Sequence, residues 1–199
     1  MGFHWRCCYF GLDGNFINLN FNSMRAYILK ESDSELRVAA SPDSVKKMVE
    51  LGISVNIQTT AGQNSNFSDD SYKVNGAEIF NNVSEISNAD IIIKVNKPTD
   101  EEISIMKEGV LFIGSLDPYN SIDTLNKLKD KGITSFAMEL MPRITRAQSM
   151  DILSSQSNLA GYKAVIDATY LFNRAMPMMM TAAGTIAPAK VMVFGAGVA

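Results

Sequence analysis

Three consecutive isoleucines, Ile91-Ile92-Ile93, stand between Asp90 and Lys94. A run without a polar alternate suits a strand covered on both faces, as in a parallel sheet flanked by helices. Further candidate strands fall at 26–29, 54–57, 77–80, 110–113 and 133–138. Helix-start signals fall between them. Ser41-Pro42-Asp43 places serine at the cap and proline in the first turn, with Val45, Met48 and Val49 on one face before Gly52. Ser68-Asp69-Asp70 opens a second helix ahead of Gly76, residues 99–106 form a third, and 121–131 form a fourth closed by Gly132. Strands alternating with helices at this spacing predict an α/β parallel sheet with right-handed crossovers.

The pattern changes after Pro142. Residues 143–151 are polar, and 150–172 read as one long helix interrupted only by Gly161. Such a helix of about 23 residues spans about 35 Å, the length of a connector between domains. Pro177 ends it. Residues 178–181 and 185–186 then suggest a hairpin around Ala183-Gly184, and Lys190 opens an apolar strand ending in Gly195-Ala196-Gly197-Val198-Ala199. A strand entering G-x-G is how a dinucleotide-binding βαβ unit begins, with the pyrophosphate on the following helix and an acidic residue on the ribose. The chain ends inside that fingerprint, so the expected division is an extension at 1–23, an N-terminal domain at 24–145, a connecting helix at 146–175, and a hairpin with the start of a truncated nucleotide domain at 176–199.

Composition narrows the function. A net charge of −3 gives no reason to expect nucleic acid or an acidic membrane surface, and no stretch reaches the roughly 18 apolar residues of a membrane span. His4, Trp5, Cys7 and Cys8 are the only His, Trp and Cys, all within residues 1–23. That segment reads as an extension or an upstream start, and adjacent cysteines lack the C-x-x-C spacing of metal and redox sites. Ser–His and Cys–His catalysis, metal clusters and the G-x-x-x-x-G-K-[ST] phosphate loop have no residues to support them.

The densest polar stretch is 143–155. Arginine there can clamp phosphate or carboxylate, and glutamine or aspartate can grip ribose hydroxyls or a carboxamide. By residue types alone it is a solvated loop leading into a helix capped by Ser149 or Asp151. Lys94 ends the isoleucine strand, where α/β folds place ligands, yet a strand-terminal lysine is ordinarily a surface residue, and that reading is favoured. Arg37 either faces the same cleft or is a loop cation.

These residues together resemble a known family. Residues 24–199 are similar to the N-terminal part of the NAD(H)-binding alpha subunit of proton-translocating NAD(P) transhydrogenase, within the alanine dehydrogenase/transhydrogenase superfamily. The resemblance rests on Arg37-Val38-Ala39 with Ser41-Pro42, Ile93-Lys94-Val95 with Pro98, and Ala137-Met138-Glu139 with Pro142-Arg143-Ile144. It continues through Arg146-Ala147-Gln148-Ser149-Met150-Asp151, Leu153-Ser154-Ser155-Gln156, residues 158–164, and Thr181-Ala182-Ala183-Gly184-Thr185. It implies two Rossmann-like domains joined by long helices with NAD(H) in the cleft. Catalytic positions would be Arg143, Gln148, Asp151 and Ser154. Cofactor contacts would be these with Ile144, Thr145, Ser149 and Met150, and, on the fingerprint side, Val193, Gly195, Gly197 and Val198.

The implied reaction is direct hydride transfer between NAD(H) here and NADP(H) on a partner beta subunit, coupled to proton movement through a membrane-spanning subunit. The implied setting is cytoplasmic and peripheral to the inner membrane, with a homodimer formed through the hairpin. A polypeptide ending at Ala199 is expected to bind NAD(H) weakly and to be inactive alone. Alanine dehydrogenase is the related alternative, with Arg37 and Lys94 as substrate residues. Its histidine has no counterpart in Ile113-Gly114-Ser115-Leu116-Asp117-Pro118. A non-catalytic NAD-binding module is the third reading.

Overall fold

The computed structural model describes residues 24–197. The chain forms two compact units, Met1–Met138 and Glu139–Ala199. The extension expected at 1–23 lies outside the described residues.

The first unit is a six-stranded parallel sheet. Its strands are β1 (Arg25–Ile28), β2 (Ser54–Gln58), β3 (Glu78–Phe80), β4 (Ile91–Ile93), β5 (Leu111–Gly114) and β6 (Thr134–Ala137), in the order β3-β2-β1-β4-β5-β6. This is the doubly wound Rossmann order, and it places a topological switch between β1 and β4. There Ala26, Tyr27 and Ile28 pair with Ile91, Ile92 and Ile93.

The period of two along a strand divides the core. Tyr27 and Leu29 pack with Ile92, Phe112, Ile103 and Leu128 in one cluster, whereas Ile28 packs with Val45, Val55, Ile57 and Tyr72 in the other. Helices α1 (Pro42–Glu50) and α2 (Asp69–Val74) therefore cover one face, and α3 (Asp100–Ile105) and α4 (Ile122–Asp130) the other. Ile28, Ile57, Ile92, Phe112 and Tyr72 are completely buried, and burial of each such side chain is worth about 1.5–3 kcal/mol.

Local signals set the helix starts. The Ser41 hydroxyl accepts from the Ser44 amide at 3.3 Å ahead of Pro42, and Ser68 does the same for Ser71 at 3.2 Å. Thr99 and Glu102 form a reciprocal capping box at α3. Ser121, ahead of α4, makes no capping bond and instead accepts from Lys97 Nζ at 2.8 Å.

The second unit contains a 3-10 helix, Thr145–Met150, followed by α5 (Ile152–Leu171). The helix predicted from residue 150 begins at Ile152, because the Asp151 carboxylate caps it and holds residue 151 in extended geometry. Gly161 lies inside α5 without breaking it. Strands β7 (Met179–Thr181) and β8 (Gly184–Ile186) make the expected hairpin, with Met179 opposite Ile186. The anticipated strand from Lys190 is absent: residues 190–194 have neither strand nor helix geometry, and Val191, Met192, Val193 and Phe194 are exposed. An apolar run becomes a strand only when a neighbour completes its hydrogen-bond ladder, and none of the eight described strands pairs with it.

Candidate functional site

Two groups of polar side chains stand out, one in each unit. In the first unit they gather at the carboxyl ends of β1 and β4, the position where open α/β sheets bind ligands. Gly114, at the end of β5, lets the strands close up here: a Cβ on it would lie 2.8 Å from the Lys94 carbonyl oxygen. Lys94 is 6% exposed, and its ammonium donates to both oxygens of Glu102 at 2.8 and 3.0 Å. The expectation of a surface lysine is thus corrected. Removing an ammonium from water is costly unless a partner stands at contact distance, and Glu102 provides one.

The next loop residues extend the group. Glu31, 8% exposed, accepts from the Val95 amide at 2.7 Å. Asn96 donates to Glu31 at 3.4 Å and to Glu35 at 3.3 Å. Arg37 grips Glu35 through Nε and one terminal nitrogen, both at 2.7 Å. That fork holds the Glu35 carboxyl at a pKa of about 2. Arg37 is therefore an ion-paired residue of this crevice. Glu31, Glu35, Asn96 and Glu102 are not among the site residues expected from sequence. The one local signal for any of them is the capping-box spacing of Thr99 and Glu102.

A carboxylate depressed in the folded state stabilises it above its unfolded pKa, near 4.5, and loses that contribution as pH falls towards 2. Glu35→Gln is expected to flatten the fall in stability between pH 4.5 and 2. Denaturant unfolding at a series of pH values measures this. An unchanged acid limb would show that Glu35 titrates normally.

In the second unit the predicted loop residues take distinct positions. Arg143, Ile144, Thr145, Gln148, Ser149 and Met150 are exposed along the 3-10 turn, which is anchored by the buried Ala147. Asp151 and Ser154 are half-buried and joined. The Ser154 amide donates to one carboxylate oxygen at 3.0 Å and the Ser154 hydroxyl to the other at 2.6 Å. These two bonds, with the charge of Arg143 nearby, hold the Asp151 carboxyl below its ordinary range. Asp151 is thus the helix cap, and Ser149 is not. Val193, Gly195 and Gly197 are exposed beyond the hairpin, and Gly195 has φ 95°, a turn suited to glycine. Val198 lies outside the described residues. Among the described residues no group of His, Cys, Asp and Glu can hold a metal ion. No described helix is long and apolar enough to cross a membrane.

Residues 27–160 match the alanine dehydrogenase/PNT N-terminal domain, and residues 164–199 match the C-terminal domain of the same family. The chain belongs to the alanine dehydrogenase/PNT family. Within this family it is similar to an NAD(P) transhydrogenase alpha-subunit polypeptide of Rhodospirillum rubrum, 49% identical over 183 residues, covering 88% of this chain and 48% of that protein. A crystal structure of transhydrogenase from Sinorhizobium meliloti superposes with a TM-score of 0.84 at 51% identity, covering 87% of this chain and 52% of that one. Alanine dehydrogenase 2 of Staphylococcus aureus is more distant, 32% identical over 168 residues, covering 83% of this chain and 45% of that protein. The chain spans about half the length of the relatives it matches. The family match agrees with the doubly wound sheet of the first unit.

Proposed function

We propose that the complete protein is the NAD(H)-binding component of a proton-translocating transhydrogenase. It acts with a beta subunit that carries NADP(H) and with a membrane-spanning subunit, as a homodimer at the cytoplasmic side of the membrane. The observation that carries this reading is the loop Arg143–Ser154 on the N-terminus of α5. It combines exposed guanidinium and carboxamide groups with an ionised, hydrogen-bonded carboxylate, and the chain's sole histidine lies elsewhere, at position 4. The identity with transhydrogenase alpha subunits supports the same assignment.

The residue chemistry fits a nicotinamide dinucleotide. Gln148 offers a donor and an acceptor to a carboxamide, and Arg143 offers a fork to phosphate or ribose oxygens. The Gly195 turn leaves open space where a Cβ would stand, so backbone can approach a pyrophosphate. The bound nicotinamide supplies the hydride chemistry. The chain's part is to orient. Asp151 and Ser154 fix the loop to the helix start, and Gln148 sets the ring's angle. No side chain has to move a proton at the reacting carbon, because hydride passes between two like rings.

Alanine oxidation asks for more. It needs a cation available to a substrate carboxylate and a proton-transfer group. Here Arg37 and Lys94 already hold Glu35 and Glu102, and residues 113–118 contain no histidine. Supplying the complete protein with alanine and NAD⁺ is expected to yield no pyruvate. Steady pyruvate formation would reverse the assignment.

A further inference from the structure

The β1–β4 crevice of the first unit is built like an anion site that already contains its anion. A guanidinium with half of its side chain exposed stands beside the switch point, where α/β sheets take ligands. Its fork is met by two oxygens of Glu35 at 2.7 Å, the geometry with which arginine receives a carboxylate ligand. The Glu35 side chain is 15% exposed. It also accepts the Arg37 backbone amide at 3.0 Å and Asn96 Nδ2 at 3.3 Å. Asn96 bridges onward to the buried Glu31. A loose surface ion pair would not have its carboxylate held by a backbone amide and by a side chain from the loop after a different strand. The second cation of the crevice, Lys94, is likewise committed to a carboxylate of this chain.

We propose that Glu35 is a specificity-determining residue. Its carboxylate occupies Arg37 as an internal ligand and so excludes small external carboxylates from the switch-point crevice. The pair forms between residues two apart, so the internal anion is present at an effective concentration that a free metabolite cannot match. An incoming carboxylate would also meet Glu31 and Glu102 beside Glu35 in the same crevice, which disfavours a fourth anion there. Glu35 also keeps its charge throughout the physiological range. The exclusion is independent of where NAD(H) binds, since every group involved belongs to the β1 and β4 loops and α3.

The test uses oxalate as the probe, the intact protein, and the Arg37 Nε proton as the reporter in NMR. In the wild type this resonance is expected to exchange slowly with water and to stay unmoved by oxalate up to tens of millimolar. In Glu35→Gln, which keeps the shape and removes the charge, oxalate is expected to shift it saturably, with at least tenfold tighter binding than in the wild type. Glu35→Gln combined with Arg37→Gln should abolish the binding, read by calorimetry. Oxalate binding to the wild type as tightly as to Glu35→Gln overturns the proposal. So does a folded Glu35→Gln protein that binds none. If that variant does not fold, the wild-type measurement still decides, because rapid exchange of the Arg37 Nε proton or an oxalate shift there contradicts an occupied guanidinium.

Discussion

Glu102→Ala is expected to cost the folded protein about 3–5 kcal/mol, the range for removing one partner of a buried ion pair. The Lys94 side chain is 4% exposed and that of Glu102 is 12%. Truncation leaves an ammonium that water does not reach and that loses both bonds to Glu102. The same carboxylate also accepts from the Thr99 amide at 2.7 Å, so the helix start loses half of its capping box. Urea unfolding measures the loss. Replacing both partners, as Lys94→Met with Glu102→Leu, should recover most of it, because two apolar groups leave no charge stranded. A loss below about 1 kcal/mol for Glu102→Ala is the behaviour of an exposed pair and would contradict the burial of Lys94.

Gln148→Asn in the complete subunit is expected to slow hydride transfer on the order of 100-fold while changing NADH affinity much less. The substitution keeps the carboxamide and draws it back by one methylene. Displacement of a positioning group by about an ångström is enough for a loss of that size when the reaction depends on ring alignment. The loop should otherwise persist. The Gln148 backbone carbonyl accepts from the Asp151 amide, and Asp151 remains tied to Ser154. Single-turnover transfer rates and NADH titration separate the two effects. Equal losses in both would mean that Gln148 only contributes binding.

The sheet is legible in the residues because its determinants are local. Ile91-Ile92-Ile93 announces a strand covered on both faces, and Ser41-Pro42 and Ser68 announce helix starts. These signals hold wherever the chain later goes. The position of Lys94 is not legible, because its burial depends on Glu102, brought against it when α3 folds back across the sheet. The Thr99-x-x-Glu102 box is visible in the sequence, but its second role is not. The Glu35–Arg37 fork likewise depends on Asn96 from another loop, so spacing alone does not separate a paired arginine from a cation facing a ligand.

The second unit is legible in part for the same reason. Asp151 competes with Ser149 for the cap, and only the two bonds from Ser154 decide between them. Residues 190–194 have the composition of a strand but no partner strand among those described. The glycine turn behind them is readable because Gly195 needs no partner to adopt a positive φ.

The most direct test of direct hydride transfer is an isotope experiment. The complete subunit, with its partner subunit present, is given NADH carrying deuterium at the transferable position of C4, together with an NADP⁺ analogue in ordinary water. The reduced analogue is expected to carry the deuterium without dilution, since the hydride passes between the rings and never meets solvent. Recovery of the analogue with solvent hydrogen in that position, or no reduction of it, would contradict direct transfer.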